Sequence, residues 1–186
     1  MKRLIAYLII CVLMAVSFVA CSKTKQSEPV KTIKPGEKIQ ITSSSLTDDG
    51  KWKTVITSSD GENKSPQLSW TPVENASCYA IYMIDTSANN WCHWVAKDIE
   101  VTELELGAEL ENSRYIGPYP PSGVHTYEVM VFAIKDSPDS YKGLFDNANS
   151  SVDDIIAALD VSKGTNGNIL ASGMLSGTYQ TGDIVE

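Results

Sequence analysis

Histidine and cysteine are scarce in this chain of 186 residues, which holds two of the first and four of the second. Their scarcity excludes much. No Cys-x-x-Cys pair offers a zinc knuckle, and no Gly-Lys-Ser/Thr loop offers a phosphate cradle. No Gly-x-Ser-x-Gly elbow presents a serine nucleophile. Positive charge is also in deficit, with 15 Lys and Arg against 23 Asp and Glu, a formal net charge of -8. Lys2 and Arg3 lie in a segment expected to be removed, which leaves 13 basic groups against 23 acidic ones. A field of that sign repels polyphosphate backbones, so nucleic acid is not an expected partner. It equally disfavours adhesion of the folded part to an anionic membrane surface. Internal repeats and low-complexity tracts are absent from the sequence.

The long apolar run of the chain is N-terminal. Lys2 and Arg3 form a positive lead, Leu4 to Ala20 is apolar, and the small Ala20 stands just before Cys21. Phe18-Val19-Ala20-Cys21 resembles a bacterial lipobox, although Phe18 stands where leucine is usual. The resemblance implies a signal peptide over residues 1–20 and a diacylglycerol on Cys21, anchoring the protein in the bacterial cell envelope. Ser22 rather than Asp after the cysteine favours the outer membrane. An ordinary signal peptide and an uncleaved anchor are the alternatives. Ser22 to Pro35 is polar and Lys-rich, so residues 21–36 read as a flexible tether and 37–186 as the folded domain.

Cys11 leaves with the signal, and only Cys78 and Cys92 remain in the domain. An envelope compartment permits a disulfide. If 78–85 and 91–99 pair as a hairpin, however, the two cysteines lie on the order of 20 Å apart at ~3.3 Å per residue. A disulfide needs Cα atoms within about 7 Å, so both thiols are expected to stay free.

The hydrophobic fraction of 42% supports a true core, and its periodicity is mostly that of strands. Ile39–Thr42 and Trp52–Ile56 alternate, and each is followed by an Asp-Gly turn signal, Asp49-Gly50 and Asp60-Gly61. Ser65–Trp70 reads as an edge because of Pro66. Cys78–Asp85 is apolar on both faces, which suits a central strand. In Trp91–Ile99, strict alternation puts Trp91, His93 and Val95 on one face and Cys92, Trp94 and Ala96 on the other. Val101–Ser113 reads mostly as loop, with room for a helical turn. Val124–Ile134 and Asn168–Tyr179 are strands, and Ser151 caps a short helix with Ile155, Ile156 and Leu159 on its apolar face. The fold class expected is mainly β: an antiparallel sandwich with Greek-key connections and one or a few short helices.

Between two of these strands lies Tyr115–Tyr127, YIGPYPPSGVHTY. Its prolines fix φ and remove amide donors, so this loop holds one shape. Gly117 and Gly123 supply backbone freedom or close approach. His125 and Tyr127, two apart, share a strand face. Asp85 ends the strand before His93, so a hairpin brings Asp85 and His93 to one sheet end. The proline loop delivers His125 and Tyr127 to a rim of the sheet.

Four blocks in order, SPQLSW, a strand ending in Asp85, CHW and GPYPPSGVHTY, resemble the phosphatidylethanolamine-binding protein family. That family includes Raf kinase inhibitor protein and bacterial relatives, and the resemblance covers roughly residues 38–180. It implies a β-sandwich with one small anion pocket at a sheet end. Carried over by motif, the ligand-binding residues are Asp85, His93, His125 and Tyr127, with Gly117, Pro118, Pro121 and Gly123 in the proline loop. The family's Asp-Pro-Asp-Ala-Pro block is here Asp85-Thr86-Ser87-Ala88-Asn89, and the Arg of its His-Arg-Tyr is Thr126. These departures bear on specificity.

Two imidazoles, a phenol and loop amides can donate to a phosphate. The function expected is therefore non-catalytic binding of a small anionic or phosphorylated ligand, with no cofactor and no metal. The alternatives are an interaction protein that inhibits an envelope enzyme, as relatives inhibit kinases or proteases, and a hydrolase in which Asp85, His93 and His125 form a metal triad. A Cys92–His nucleophile is disfavoured, because Cys92 points opposite to His93.

Overall fold

The computed structural model describes residues 31–186. The expected signal segment and Cys21 lie outside them. The chain is already seated on the fold at Ile33, which bridges to Val73, and Gly36 donates its amide to the Leu170 carbonyl. The polar composition of residues 31–36 had placed them in the tether. Their backbone bonding, which composition does not encode, puts them in the domain.

A five-stranded antiparallel sheet carries the molecule. Its strands are β3 (Cys78–Asp85), β4 (Trp91–Ile99), β6 (Ser113–Tyr115), β7 (His125–Ile134) and β10 (Ile169–Tyr179), in the order β10-β7-β3-β4-β6. Strand β7 returns beside β3, so the run β7-β3-β4-β6 has the 4-1-2-3 order of a Greek key. A three-stranded sheet of β1 (Ile41–Thr42), β2 (Leu68–Trp70) and β5 (Glu103–Leu104) packs over one face. A small ribbon, β8 (Val161–Ser162) with β9 (Thr165–Asn166), follows the helix.

All eight residues of β3 are buried, as expected of a strand covered on both sides. Ile81, Met83, Val129 and Trp94 join Trp52, Ile56 and Leu68 in the sandwich core. Tyr82, Ile84, Cys92 and Phe132 face the other way, under α1 (Val152–Leu159). The side chain of Ser151 accepts the Asp153 amide at 3.0 Å, and Asp153 and Asp154 occupy the first turn, where the helix dipole favours negative charge. Ile155 and Leu159 anchor the helix on the sheet.

Two expectations are corrected. Trp52–Ile56 is not a strand: Thr54–Ile56 forms a 3-10 turn, and Trp52 makes only an isolated bridge with Leu46. Its two fully buried residues, Trp52 and Ile56, stand four apart, a spacing that a strand and a helical turn satisfy equally. The faces of β4 also depart from strict alternation. Ile84 pairs with Cys92 but Met83 pairs with Trp94, a β-bulge that sets His93 and Trp94 against one residue of β3. Beyond it, Val95 joins the helix-side core with Cys92, while Trp94 and Ala96 join the sandwich core. Leu104, in a stretch read as loop, is buried in the short strand β5.

Candidate functional site

The functional side chains meet at one end of the large sheet because the register brings them there. Asp85, the last residue of β3, pairs with Trp91 on one side and Tyr127 on the other. His125 opens β7 beside Tyr179. The β3–β4 link turns through Asn89 and Asn90, whose φ values of 49° and 54° suit the tight turn that joins hairpin strands. The Trp91 amide closes it on the Ala88 carbonyl at 3.1 Å.

Asp85 is held at both oxygens. Oδ1 accepts the Ser87 amide at 2.8 Å, and Oδ2 accepts the His125 Nδ1 proton at 2.7 Å. Its side chain is 3% exposed, so this carboxylate orients rather than reaches out. Ser87, at the place of the family's second aspartate, accepts the Thr126 amide at 3.0 Å through its hydroxyl. The altered loop is thereby laced to β7.

His93, 2% exposed, donates Nδ1–H to the Ile116 carbonyl at 2.9 Å. A carbonyl only accepts, so that bond fixes the proton on Nδ1. Burial, the largest influence, pulls the imidazole below its ordinary pKa, opposed by the Ile116 carbonyl and by the charges of Asp85 and Asp146. The Nε2 atoms of His93 and His125 have no protein partner among the described residues. The Tyr127 ring lies 5.2 Å from His93, edge to face, and stacks 6.4 Å from His125. Its hydroxyl is buried without a hydrogen-bond partner among the described residues. Burial first, and the Asp85 charge second, push that phenol well above its usual range, so it stays a donor.

These groups surround a cavity of about 230 Å³, walled by Asp85, Ala88, Trp91, His93, Tyr119, Pro120, Pro121, His125 and Tyr127. Larger grooves of about 520 and 530 Å³ lie elsewhere on the surface, but neither is lined by a histidine. The smaller cavity is the candidate site because the titratable groups converge there.

Of the residues singled out in the sequence, Asp85, His93, Pro121, His125 and Tyr127 line the cavity. Gly117, Pro118 and Gly123 do not. Gly117 lies behind the wall, where a Cβ would collide with the Ile56 carbonyl; its amide donates to Asn63 Oδ1 at 2.7 Å. Pro118 is buried beside it, its carbonyl accepting the Ser58 amide. Gly123, with φ of 70°, makes the exposed turn at the loop tip. Tyr119, Pro120 and Ala88 were missed. Tyr119 carried a signal, as an aromatic inside the rigid loop; it lies 5.2 Å from His93. Its hydroxyl donates to Asp146 Oδ1 at 2.8 Å, and Trp91 Nε1 donates to the same oxygen at 3.2 Å. Burial, then that bond, pushes the Tyr119 phenol up to about 12. Asp146 gave no local signal, since only the fold brings its loop to this wall.

Among the described residues, no three His, Cys, Asp or Glu side chains are disposed to hold a metal ion. Both Asp85 oxygens are engaged in hydrogen bonds, Oδ1 with Ser87 and Oδ2 with His125. Cys92 lies on the far face of the sheet, and burial pushes its thiol up to about 12, the wrong direction for a nucleophile. Cys78 and Cys92 are both free.

Comparison with known proteins agrees with the fold. The sequence model of the phosphatidylethanolamine-binding protein family matches residues 31–180. A UPF0098 protein of Methanothermobacter thermautotrophicus is 29% identical over 143 residues, 66% of this chain and 87% of that protein. A phosphatidylethanolamine-binding protein homologue from Chlamydia trachomatis superposes with a TM-score of 0.61 at 22% identity, covering 77% of this chain and 97% of its own. Escherichia coli YbcL, a member of the mammalian family, gives 0.59 at 21% identity, covering 77% and 99%.

Proposed function

The chain belongs to the phosphatidylethanolamine-binding protein family, a ligand-binding fold, and on that premise we propose that its pocket binds a small oxyanion without transforming it. A phosphate-bearing headgroup or metabolite fits the description. The observation that carries this reading is the unpaired hydroxyl of Tyr127 beside two imidazoles whose Nε2 atoms have no protein partner. A buried hydroxyl without a partner costs stability, and a ligand oxygen supplies that partner. The cavity is smaller than the ~300–1,000 Å³ of drug-sized sites, which suits a headgroup rather than acyl chains. Calorimetric titration of the purified full-length protein with phosphate and phosphoethanolamine tests it. Saturable heat that disappears in His125→Ala supports the reading, and no heat with either ligand refutes it.

A second reading, an interaction protein acting on an envelope enzyme, is favoured by the groove of about 520 Å³ beside β4 and β6. There Lys97 lies over the Tyr141 ring and Arg114 over the Phe145 ring, each 4.4 Å from the centroid, next to Leu144, which is 64% exposed. Loss of partner inhibition in Arg114→Ala, with oxyanion binding intact, separates this surface from the pocket.

The proposal includes a lipid anchor on Cys21 in the bacterial outer membrane, supported by the apolar run and the lipobox-like Phe18–Cys21. Among the described residues, no helix is long and apolar enough to cross a membrane. Mass spectrometry of the N-terminal peptide checks the modification.

A further inference from the structure

An oxyanion site is often built from permanent cations, as in arginine forks. This cavity has none: among the described residues, neither lysine nor arginine lines it. Its fixed charge is the opposite one. Asp85, at the end of β3, is buried in the wall, and Asp146, in the loop after β7, holds Tyr119 and Trp91 from outside.

The histidines do not repair this deficit while they are neutral. Each carries its single proton on Nδ1, committed to Ile116 in one case and to Asp85 in the other. A neutral imidazole with Nδ1–H presents a lone pair at Nε2, an acceptor. Among the side chains of the cavity wall, the groups left unbonded are therefore two acceptors and one donor, the Tyr127 hydroxyl. A fully deprotonated oxyanion offers only acceptors. Set against two imidazole lone pairs and a nearby carboxylate, it meets repulsion and finds one side-chain partner. An oxyanion that keeps an O–H donates that proton to Nε2 and accepts from Tyr127.

We propose that this pocket selects oxyanions that carry a proton over fully deprotonated ones of the same shape, with the Nε2 atoms of His93 and His125 as the discriminating acceptors. The inference rests on the oxyanion-binding reading and specifies its ligand class: protonated phosphate, free or at the end of a monoester, and not sulfate. The principle is general. A site built to pair with a particular O–H rejects the analogue that lacks it, because the buried partner is left unsatisfied.

The test compares inorganic phosphate with sulfate, both tetrahedral and nearly equal in size, on the full-length protein by calorimetry at pH 7.5. Phosphate retains an O–H at this pH and sulfate has none. The expected result is phosphate binding at least tenfold tighter than sulfate. The titration is then repeated at pH 5; an imidazole that gains a second proton turns its Nε2 atom from acceptor into donor. The groups facing the rings across this range are Asp85, Asp146, Tyr119 and Tyr127, and the two phenols stay protonated. The phosphate preference is expected to shrink at pH 5. Equal affinity for the two anions at pH 7.5, or tighter sulfate, overturns the selection and leaves oxyanion binding standing. Binding of neither anion overturns both.

Discussion

Asp85 and His125 are joined by a 2.7 Å hydrogen bond from Nδ1 to Oδ2, across neighbouring strands and 40 residues apart in sequence. The bond fixes the tautomer of the imidazole and the direction of its free nitrogen. It makes Asp85 a positioning residue whose other oxygen is tied to Ser87. Replacing Asp85 by Asn exchanges a charge-assisted bond for a neutral one, a difference of about 1–2 kcal/mol. Asp85→Asn is expected to weaken phosphate binding about tenfold while the protein stays folded, read by calorimetry beside a circular dichroism melt.

Tyr127 separates stability from binding. Its hydroxyl has no partner in the fold, so Tyr127→Phe removes a buried polar atom that nothing satisfies. The expected melting temperature is unchanged or slightly raised. Phosphate affinity is expected to fall several-fold, because the pocket loses its donor. A loss of stability with unchanged affinity contradicts this role.

The lowered pKa of His93 makes stability depend on pH. Burial is the main cause, and it favours the neutral ring in the folded state. The unfolded chain then binds more protons, so this contribution is present above about pH 6.5 and is lost as pH falls through that ordinary histidine value. The urea midpoint of the free protein is expected to drop between pH 7.5 and pH 5. His93→Gln should flatten the dependence.

Two glycines of the proline loop act differently. At Gly117 a methyl group meets the Ile56 carbonyl and Ser58 amide, so Gly117→Ala must displace the loop and is expected to cost about 1–3 kcal/mol and weaken binding. Gly123 has open space and a positive φ, so Gly123→Ala costs only about 1 kcal/mol of backbone strain and leaves affinity unchanged. Thermal melts and phosphate titrations of the two variants check the contrast.

The strands were legible where side-chain pattern and turn chemistry agree. Cys78–Asp85 and Trp91–Ile99 fall on the expected boundaries, because an unbroken apolar run meets a turn of small and Asn residues. The helix is legible for the same reason, through Ser151 and its apolar face. The bulge at His93 and Trp94 is not, since an inserted residue leaves no mark on composition and reverses the faces beyond it until a second register shift between Ala96 and Ile99. The 3-10 turn at Thr54–Ile56 is hidden by a spacing that fits two periods. In the pocket, histidines and a phenol declare themselves by rarity and chemistry. Asp146 does not: its carboxylate reaches Tyr119 only because β4 pairs with the loop through Cys92 and Phe145.

The central claim is that His93 and His125 share one oxyanion site. The most direct measurement is an NMR titration of their two ring signals in metal-free buffer, with phosphate and then phosphoethanolamine. The account predicts that both rings shift together and saturate at the same ligand concentration. Rings that stay still with both ligands but respond to zinc contradict it, and make the site a metal centre.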